Sequence, residues 1–324
     1  MKKSLLALAI FGVFAGSANA QSAITIYGVA DIGVVFDHAN ENRTSLSSGI
    51  QSGSRIGFKG TEDLGGGLSA NFILENGFNL DAGTMGQNGA LFGRRATVGL
   101  AGDFGAVNFG RRNTPYFNAM DSVDPMNVGF AGNATNLFAS TGIRMNNAVI
   151  YTTPMFSNIS AEIAYGFGEV EGSTAASQQI GASIAYVAGP VSIALAHHNA
   201  NNLTDTVRTK NTVLTGKYNF NNIVTAHLAY ADNSGGALDS NDFLIGASVP
   251  FGPNTVLFSY IEKNDKSILN NDASQIALAY TYALSKRTNL YASYAKINND
   301  NTAAFKTNSA FGDREGNFGI RHKF

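Results

Sequence analysis

Apolar and polar residues alternate one by one along most of this chain. Between Ile24 and Phe36 the even positions read Ile, Ile, Gly, Ala, Ile, Val and Phe, while Thr25, Asp31 and Gly33 fall on the other face. The pattern returns at Ile159, Ala161, Ile163, Tyr165 and Phe167 against Ser160, Glu162, Ala164 and Gly166, and again at Ile276, Leu278, Tyr280 and Tyr282 against Gln275, Ala277, Ala279 and Thr281. Successive side chains of a strand point to opposite faces, so period two predicts strands with one apolar and one small or polar face. Runs of this kind predict strands at 22–37, 53–63, 68–80, 91–101, 105–112, 147–153, 159–168, 178–188, 191–199, 208–219, 223–232, 241–249, 254–264, 272–283, 288–298 and 314–324. Their connections alternate between tight turns, such as Leu64–Gly67 and Pro250–Pro253, and longer polar loops at 38–52, 113–146, 233–240, 265–271 and 299–313.

Several of these runs reach ten residues or more, matching the roughly 9–11 that a tilted strand needs to cross a bilayer, whereas strands of soluble sheets average about 5–6. Sixteen strands, an even number, with short turns at one rim and long loops at the other, predict a transmembrane antiparallel β-barrel with both ends of the chain on the periplasmic side. A soluble sandwich or β-helix adhesin shares the alternation. It does not account for the strand length, the small polar face (Thr, Ser, Gly, Gln, Glu, Arg), or the Tyr and Phe that recur near strand ends as an interfacial girdle would require.

Composition sharpens this picture. Hydrophobic residues make up 44% of the chain, yet none of the segments beyond residue 20 is apolar for long enough to span a bilayer as a helix. The first twenty residues, MKKSLLALAIFGVFAGSANA, carry Lys2 and Lys3, an apolar core from Leu5 to Phe14 and a small-residue ending at Ala18-Asn19-Ala20. That is the arrangement of a cleaved secretory signal peptide, 1–20, leaving 21–324 as the barrel domain. Export fits a chain with no cysteine. The formal charge of −1 gives no reason to expect a nucleic acid partner.

The final strand places Phe318, Ile320, His322 and Phe324 on one face and ends on an aromatic residue. This ending resembles the C-terminal signal read by the barrel-assembly machinery of the outer membrane. The resemblance covers the mature chain: SAITIYGVADIGV, SGSRIGFKGTEDLGGGLSANFILENGF, LFGRRATVGLAGDFGAVNFGRR and the RHKF ending are similar, in order, to the trimeric general porins of the neisserial and burkholderial type. It implies a sixteen-stranded barrel, a homotrimer in the outer membrane of a Gram-negative cell, and an inward-folded third loop that narrows the pore. The chain departs from the family at Asn127 to Gly132, where relatives carry a proline-aromatic-glycine form.

The third loop, 113–146, exceeds the ~12–15 residues beyond which structureless loops are uncommon. Its Tyr116, Phe117, Met120, Met126, Phe130, Leu137 and Phe138 need somewhere to pack. Folding inward against the wall supplies it and brings Asp121 and Asp124 to the centre as acidic constriction residues; an external cap or trimer contact is the alternative. Opposite them the family pattern sets wall arginines. Alternation turns Arg55 and Arg95 inward, with Arg111, Arg112 and Arg144 as further basic candidates and Glu75 and Glu162 as acidic ones. Arg94 formally faces lipid, where a charge costs roughly 2–4 kcal/mol at mid-depth, so either a bulge re-aims it or it touches another subunit.

Other chemistry is weakly signalled. Gly65-Gly66-Gly67 lacks the Lys-Ser/Thr of a phosphate loop and reads as a hairpin turn. His197 and His198 face opposite ways and do not share a metal. Asp232-Asn233-Ser234 and Asn298-Asn299-Asp300 are candidates to bind divalent ions or to bridge lipopolysaccharide, but lack calcium-loop spacing and read better as solvated loops. No nucleophile motif and no cofactor site is recognisable. The expected function is passive diffusion of ions and small hydrophilic solutes through a water-filled pore, with a substrate-specific channel or a barrel adhesin as the alternative.

Overall fold

The computed structural model describes residues 23–38 and 42–324. The signal peptide expected at 1–20 lies outside the described residues. The strands are β1 (Ala23–His38), β2 (Asn42–Ser48), β3 (Arg55–Gly65), β4 (Leu68–Asn79), β5 (Thr84–Met85), β6 (Arg95–Gly102), β7 (Gly105–Asn113), β8 (Arg144–Thr152), β9 (Ile159–Gly166), β10 (Gln179–Ala188), β11 (Val191–Asn201), β12 (Arg208–Phe220), β13 (Val224–Gly235), β14 (Leu238–Phe251), β15 (Asn254–Asp265), β16 (Ala273–Ala283), β17 (Thr288–Asn299) and β18 (Arg314–Lys323); a helix, α1, spans Pro115–Val123.

Every pairing is antiparallel between neighbours, and β18 returns to β1 with Ile32 opposite Ile320 and Asp37 opposite Glu315. Closure removes the open edges that lipid does not tolerate. Among the described residues the barrel has sixteen staves, because β2 and β3 are two pieces of one stave, β2 pairing with the distal half of β1 and β3 with its proximal half, and because the two-residue β5 pairs only with the end of β4, which itself pairs with β6. Between them 49–54 bends inward. Gly49, at φ +72°, donates to the Asp31 carbonyl (2.8 Å), and Ser52 N–H donates to the Asp31 carboxylate (2.8 Å). The expected loop at 38–52 is therefore largely strand. Its Asn-Arg-Thr-Ser sequence is polar on both faces and carries no period-two signal.

The expected loop at 233–240 is also overturned. β13 and β14 run on to a two-residue turn, Gly236-Ala237, with Gly235 at φ +106° and Gly236 at φ +67°. β6 begins at Arg95 rather than 91, and β8 begins at Arg144 rather than 147. The triple glycine forms the β3–β4 hairpin turn, with all three φ values between +59° and +84°, a region that side-chain-bearing residues resist.

The two faces separate as the alternation predicts. Ile24, Ile26, Ile163, Ile276, Leu278 and Phe318 are exposed, and form part of the apolar belt that faces lipid. Their sequence neighbours point to the lumen.

The long connection between β7 and β8 packs on that inner face. Seven of its large apolar residues, Tyr116, Phe117, Met120, Met126, Phe130, Leu137 and Phe138, are buried. One group joins Ala196, Val213, Ala229, Leu244 and Ile261 of the wall, and another joins Val35, Leu257, Ala277 and Tyr291. Phe130 meets the Tyr291 ring edge-on at 5.6 Å. α1 starts on an N-cap, Thr114, whose hydroxyl accepts from Phe117 N–H (3.1 Å), followed by Pro115 in the first turn. At its other end two wall side chains satisfy terminal carbonyls: Lys217 donates to Ser122 O (2.9 Å) and the His227 ring to Val123 O (2.7 Å).

Candidate pore lining

Across β1, β3, β4 and β6 the register sets Tyr27 opposite Gly57, Gly57 opposite Glu75, and Glu75 opposite Arg95, a single row on the inner face. A Cβ on Gly57 would collide with the Tyr27 ring, so the missing side chain lets the phenol lie across β3. From there the Tyr27 hydroxyl donates to Glu75 Oε2 at 3.0 Å. Glu75 Oε1 takes Arg94 Nε at 2.7 Å and stands 3.9 Å from Arg55 Nη1. Arg55 Nε is held by the Gly53 carbonyl (2.9 Å), and Arg95 Nε by the Thr97 hydroxyl (3.2 Å). Arg144 Nε donates to the Arg94 carbonyl (2.9 Å), extending the basic patch to β8.

Arg94 faces inward without a bulge in β6. It precedes the first residue of that strand, its N–H donates to Glu75 O (3.2 Å), and the alternation that points it at lipid does not reach it. In β7 the pairing with β8 slips between Gly110 and Arg112, and Arg112 meets Glu162 at 2.8 Å on the inner face, where Thr152 also donates to that carboxylate (3.1 Å).

Two candidates fall outside this lining. Arg111 pairs with Ala96, on the outward face that carries Val98 and Leu100, and its guanidinium bonds the Gly93 carbonyl (2.8 Å) and the Asn146 side chain. Asp124 is only 2% exposed, and its carboxylate is consumed within the loop by N–H groups of Met126 (3.0 Å), Val128 (3.0 Å) and Ala134 (2.9 Å). Burial pushes its pKa up to about 6 against those three donors, with the nearby Asp121 charge adding to the rise. Asp121, one helical turn earlier, is exposed and has no basic partner within 4.0 Å among the described residues. The barrel wall around it, which displaces part of its water, raises its carboxyl above the ordinary range, while the Arg55 and Arg94 charges act in the opposite direction.

Tyr27 and Gly57 were not singled out from the sequence. Tyr27 does share the odd-numbered face of β1 with Thr25 and Asp31, which is the signal that marks it as lumen-facing. His198 is buried on the inner face while His197 bonds Thr212 (2.7 Å) and Asn199 (3.1 Å), so the pair shares no site. Asn233 and Asn299 lie in strands rather than solvated loops, and among the described residues no group of three His, Cys, Asp or Glu is placed to hold a metal.

The chain matches the Gram-negative porin family over residues 4–302. It is 33% identical to an outer membrane porin protein of Bordetella pertussis, covering 91% of this chain and 94% of that one. It is 34% identical to outer membrane porin protein 32 of Delftia acidovorans, covering 92% and 90%. Among solved structures, the anion-selective porin from Comamonas acidovorans superposes with a TM-score of 0.85 at 30% identity, over 94% of this chain and all of that one. Closed barrel, polar inner face and these likenesses together lead to one conclusion: the chain belongs to the Gram-negative porin family and is an outer-membrane porin.

Proposed function

We propose that this porin passes small hydrophilic solutes and ions by diffusion through an aperture bounded by the third loop and the arginine wall, with a preference for anions. The observation that carries the reading is the charge across the gap. Arg55, Arg94, Arg95, Arg112 and Arg144 line one side, Glu75 and Glu162 lie among them, and Asp121, which has no basic partner within 4.0 Å among the described residues, stands in the field of Arg55 and Arg94. Opposed charges in a narrow aqueous gap set up a transverse field that orders water and excludes large or apolar solutes. The excess of guanidinium over carboxylate raises the local anion concentration within about a Debye length, roughly 8 Å at physiological salt. The anion selectivity in the name of the Comamonas porin agrees with this preference. Passage needs no covalent step and no cofactor.

Planar-bilayer recording tests the reading. Large conductance steps that scale with salt conductivity, with a zero-current potential of anion sign, are expected. Absent steps, or steps blocked by a sugar, would favour an adhesin or a substrate-specific channel. The same reading includes export by cleavage after Ala20, so that the mature protein starts at Gln21, and insertion by the barrel-assembly machinery into a lipopolysaccharide-bearing outer membrane. It also includes assembly as a homotrimer; a monomer-only native mass would contradict that.

A further inference from the structure

The far arm of the third loop is fastened to the wall by a group of side chains remote from the arginine wall. Asp242 of β14 is 0% exposed and Lys263 of β15 is 6% exposed, and their ion pair measures 2.9 Å. Asp242 Oδ1 also accepts from the Ser240 hydroxyl (3.3 Å). Its Oδ2 accepts from Asn233 Nδ2 (2.8 Å) and from the backbone N–H of Ala139 in the third loop (2.9 Å). One strand further, Asn211 donates to Asn233 (2.6 Å) and accepts from Thr141 N–H (3.0 Å). Lys263 also donates to Ser240 (3.0 Å), and its ammonium stands 5.7 Å from the centre of the Phe305 ring. Phe305 belongs to the last external loop, 300–313, and packs on the same apolar cluster as Tyr116, Leu137 and Phe138. That loop touches the third loop directly as well, Asn133 donating to Asn308 Oδ1 (3.1 Å).

We propose that Asp242 and Lys263 form a latch that couples the third loop to the last external loop, and so hold the aperture at one width. This rests on the reading of 113–146 as the loop that bounds the aperture. A buried ion pair contributes little net stability, but breaking it strands a charge away from water. Here the stranded partner would be the group that anchors Ala139 on one side or faces Phe305 on the other. Loss of either charge loosens both loops together. The latch carries no net charge and lies apart from the arginines, so it sets how steadily the channel conducts and leaves its ion preference alone.

The experiment is single-channel recording of the full-length porin carrying Asp242→Asn, Lys263→Met, both together, or Phe305→Ala. Each single change at the ion pair is expected to raise open-channel noise several-fold and to introduce substates. The double variant, which leaves no buried charge and keeps an amide oxygen for Ala139 N–H, is expected to fall back close to the parent, because coupled residues are non-additive. Phe305→Ala leaves the ion pair in place and keeps the protein testable where a stranded charge prevents folding; it too is expected to raise noise in the third loop's substates. Zero-current potentials should stay at the parent value throughout. Quiet single variants, a double variant as noisy as the singles combined, or a silent Phe305→Ala would overturn the latch. A shifted zero-current potential would overturn it too, by placing the pair in the ion path, whereas a failure of the aperture reading would show in the arginine variants and not in these.

Discussion

Selectivity is a matter of a few side chains, and the contacts that aim them decide which ones count. Arg111 drops out of the lining because the β6–β7 register turns it outward, and Asp124 drops out because the loop's own N–H groups enclose it. Arg94 enters through its bond to Glu75. The remaining wall and loop charges, five arginines against Glu75, Glu162 and Asp121, lean further toward anions than the sequence reading, which paired five basic residues with four acids including Asp124. Replacing Arg55 and Arg95 by glutamate turns an excess of two positive charges into an excess of two negative ones. The zero-current potential across a salt gradient should then change sign. An unchanged potential would mean that these two arginines do not border the ion path. Asp124→Asn, by contrast, should leave ion preference near the parent value, since this carboxylate faces no ion.

At the scale of the element, that carboxylate ties the end of α1 to the turn at Ala134–Asn136, and its pKa near 6 gives the tie a pH dependence. The folded chain holds the Asp124 proton more tightly than the unfolded chain does. Stability from this group is therefore fully present at low pH, and it is lost as pH rises from the ordinary 3.8 through about 6. Asparagine cannot ionise and offers one acceptor oxygen to three donors. The variant should lose about 1–3 kcal/mol for the unsatisfied N–H groups and show a flatter dependence of loop protection on pH between 4 and 7. Hydrogen exchange of the Met126, Val128 and Ala134 amides measures both effects. Protection that depends on pH as steeply in the variant as in the parent would assign the titration to another group.

For the whole barrel, closure is the step that leaves no exposed backbone groups in lipid, and the last residue takes part in it. Phe324 N–H donates to Gly28 O (3.1 Å), and Gly28 N–H donates to Phe324 O (3.0 Å). Gly28 has no side chain, and a Cβ there would strike the Phe324 ring, so the ring lies in a niche on the first stave. Phe318, Ile320 and His322 continue the same outward face. Deleting Phe324 removes both bonds and the ring that fills the niche, and surface levels of folded porin should fall far more than for a change in an external loop. Gly28→Val, which closes the niche while leaving Phe324 in place, should lower assembly in the same direction. Normal levels of the deletion would show that neither closure nor the assembly signal depends on this residue.

The strand count, the two faces of each strand and the inward fate of the third loop were legible along the chain, because lipid imposes one rule at every position. A strand must show an apolar side chain on every second residue, and an apolar loop such as Tyr116 to Phe138 has no stable place outside. Where that rule lapses the reading failed. Asn42–Ser48 carries one apolar residue, Leu46, and so no period-two signal, and Asn233 and Ser240 fall in a polar run that reads as a loop because Asp242, which they bond, takes its third-loop partner Ala139 from 103 positions away. Alternation turns Arg111 outward with Phe109, but it says nothing of a residue one step beyond a strand's end, such as Arg94. The orientation of Arg94, the passage of Tyr27 over Gly57 to Glu75, and the pairing of Lys263 with Asp242 arise only once the barrel closes. Only then do distant segments share the same few ångströms of lumen, and unpaired donors and charges select their partners there.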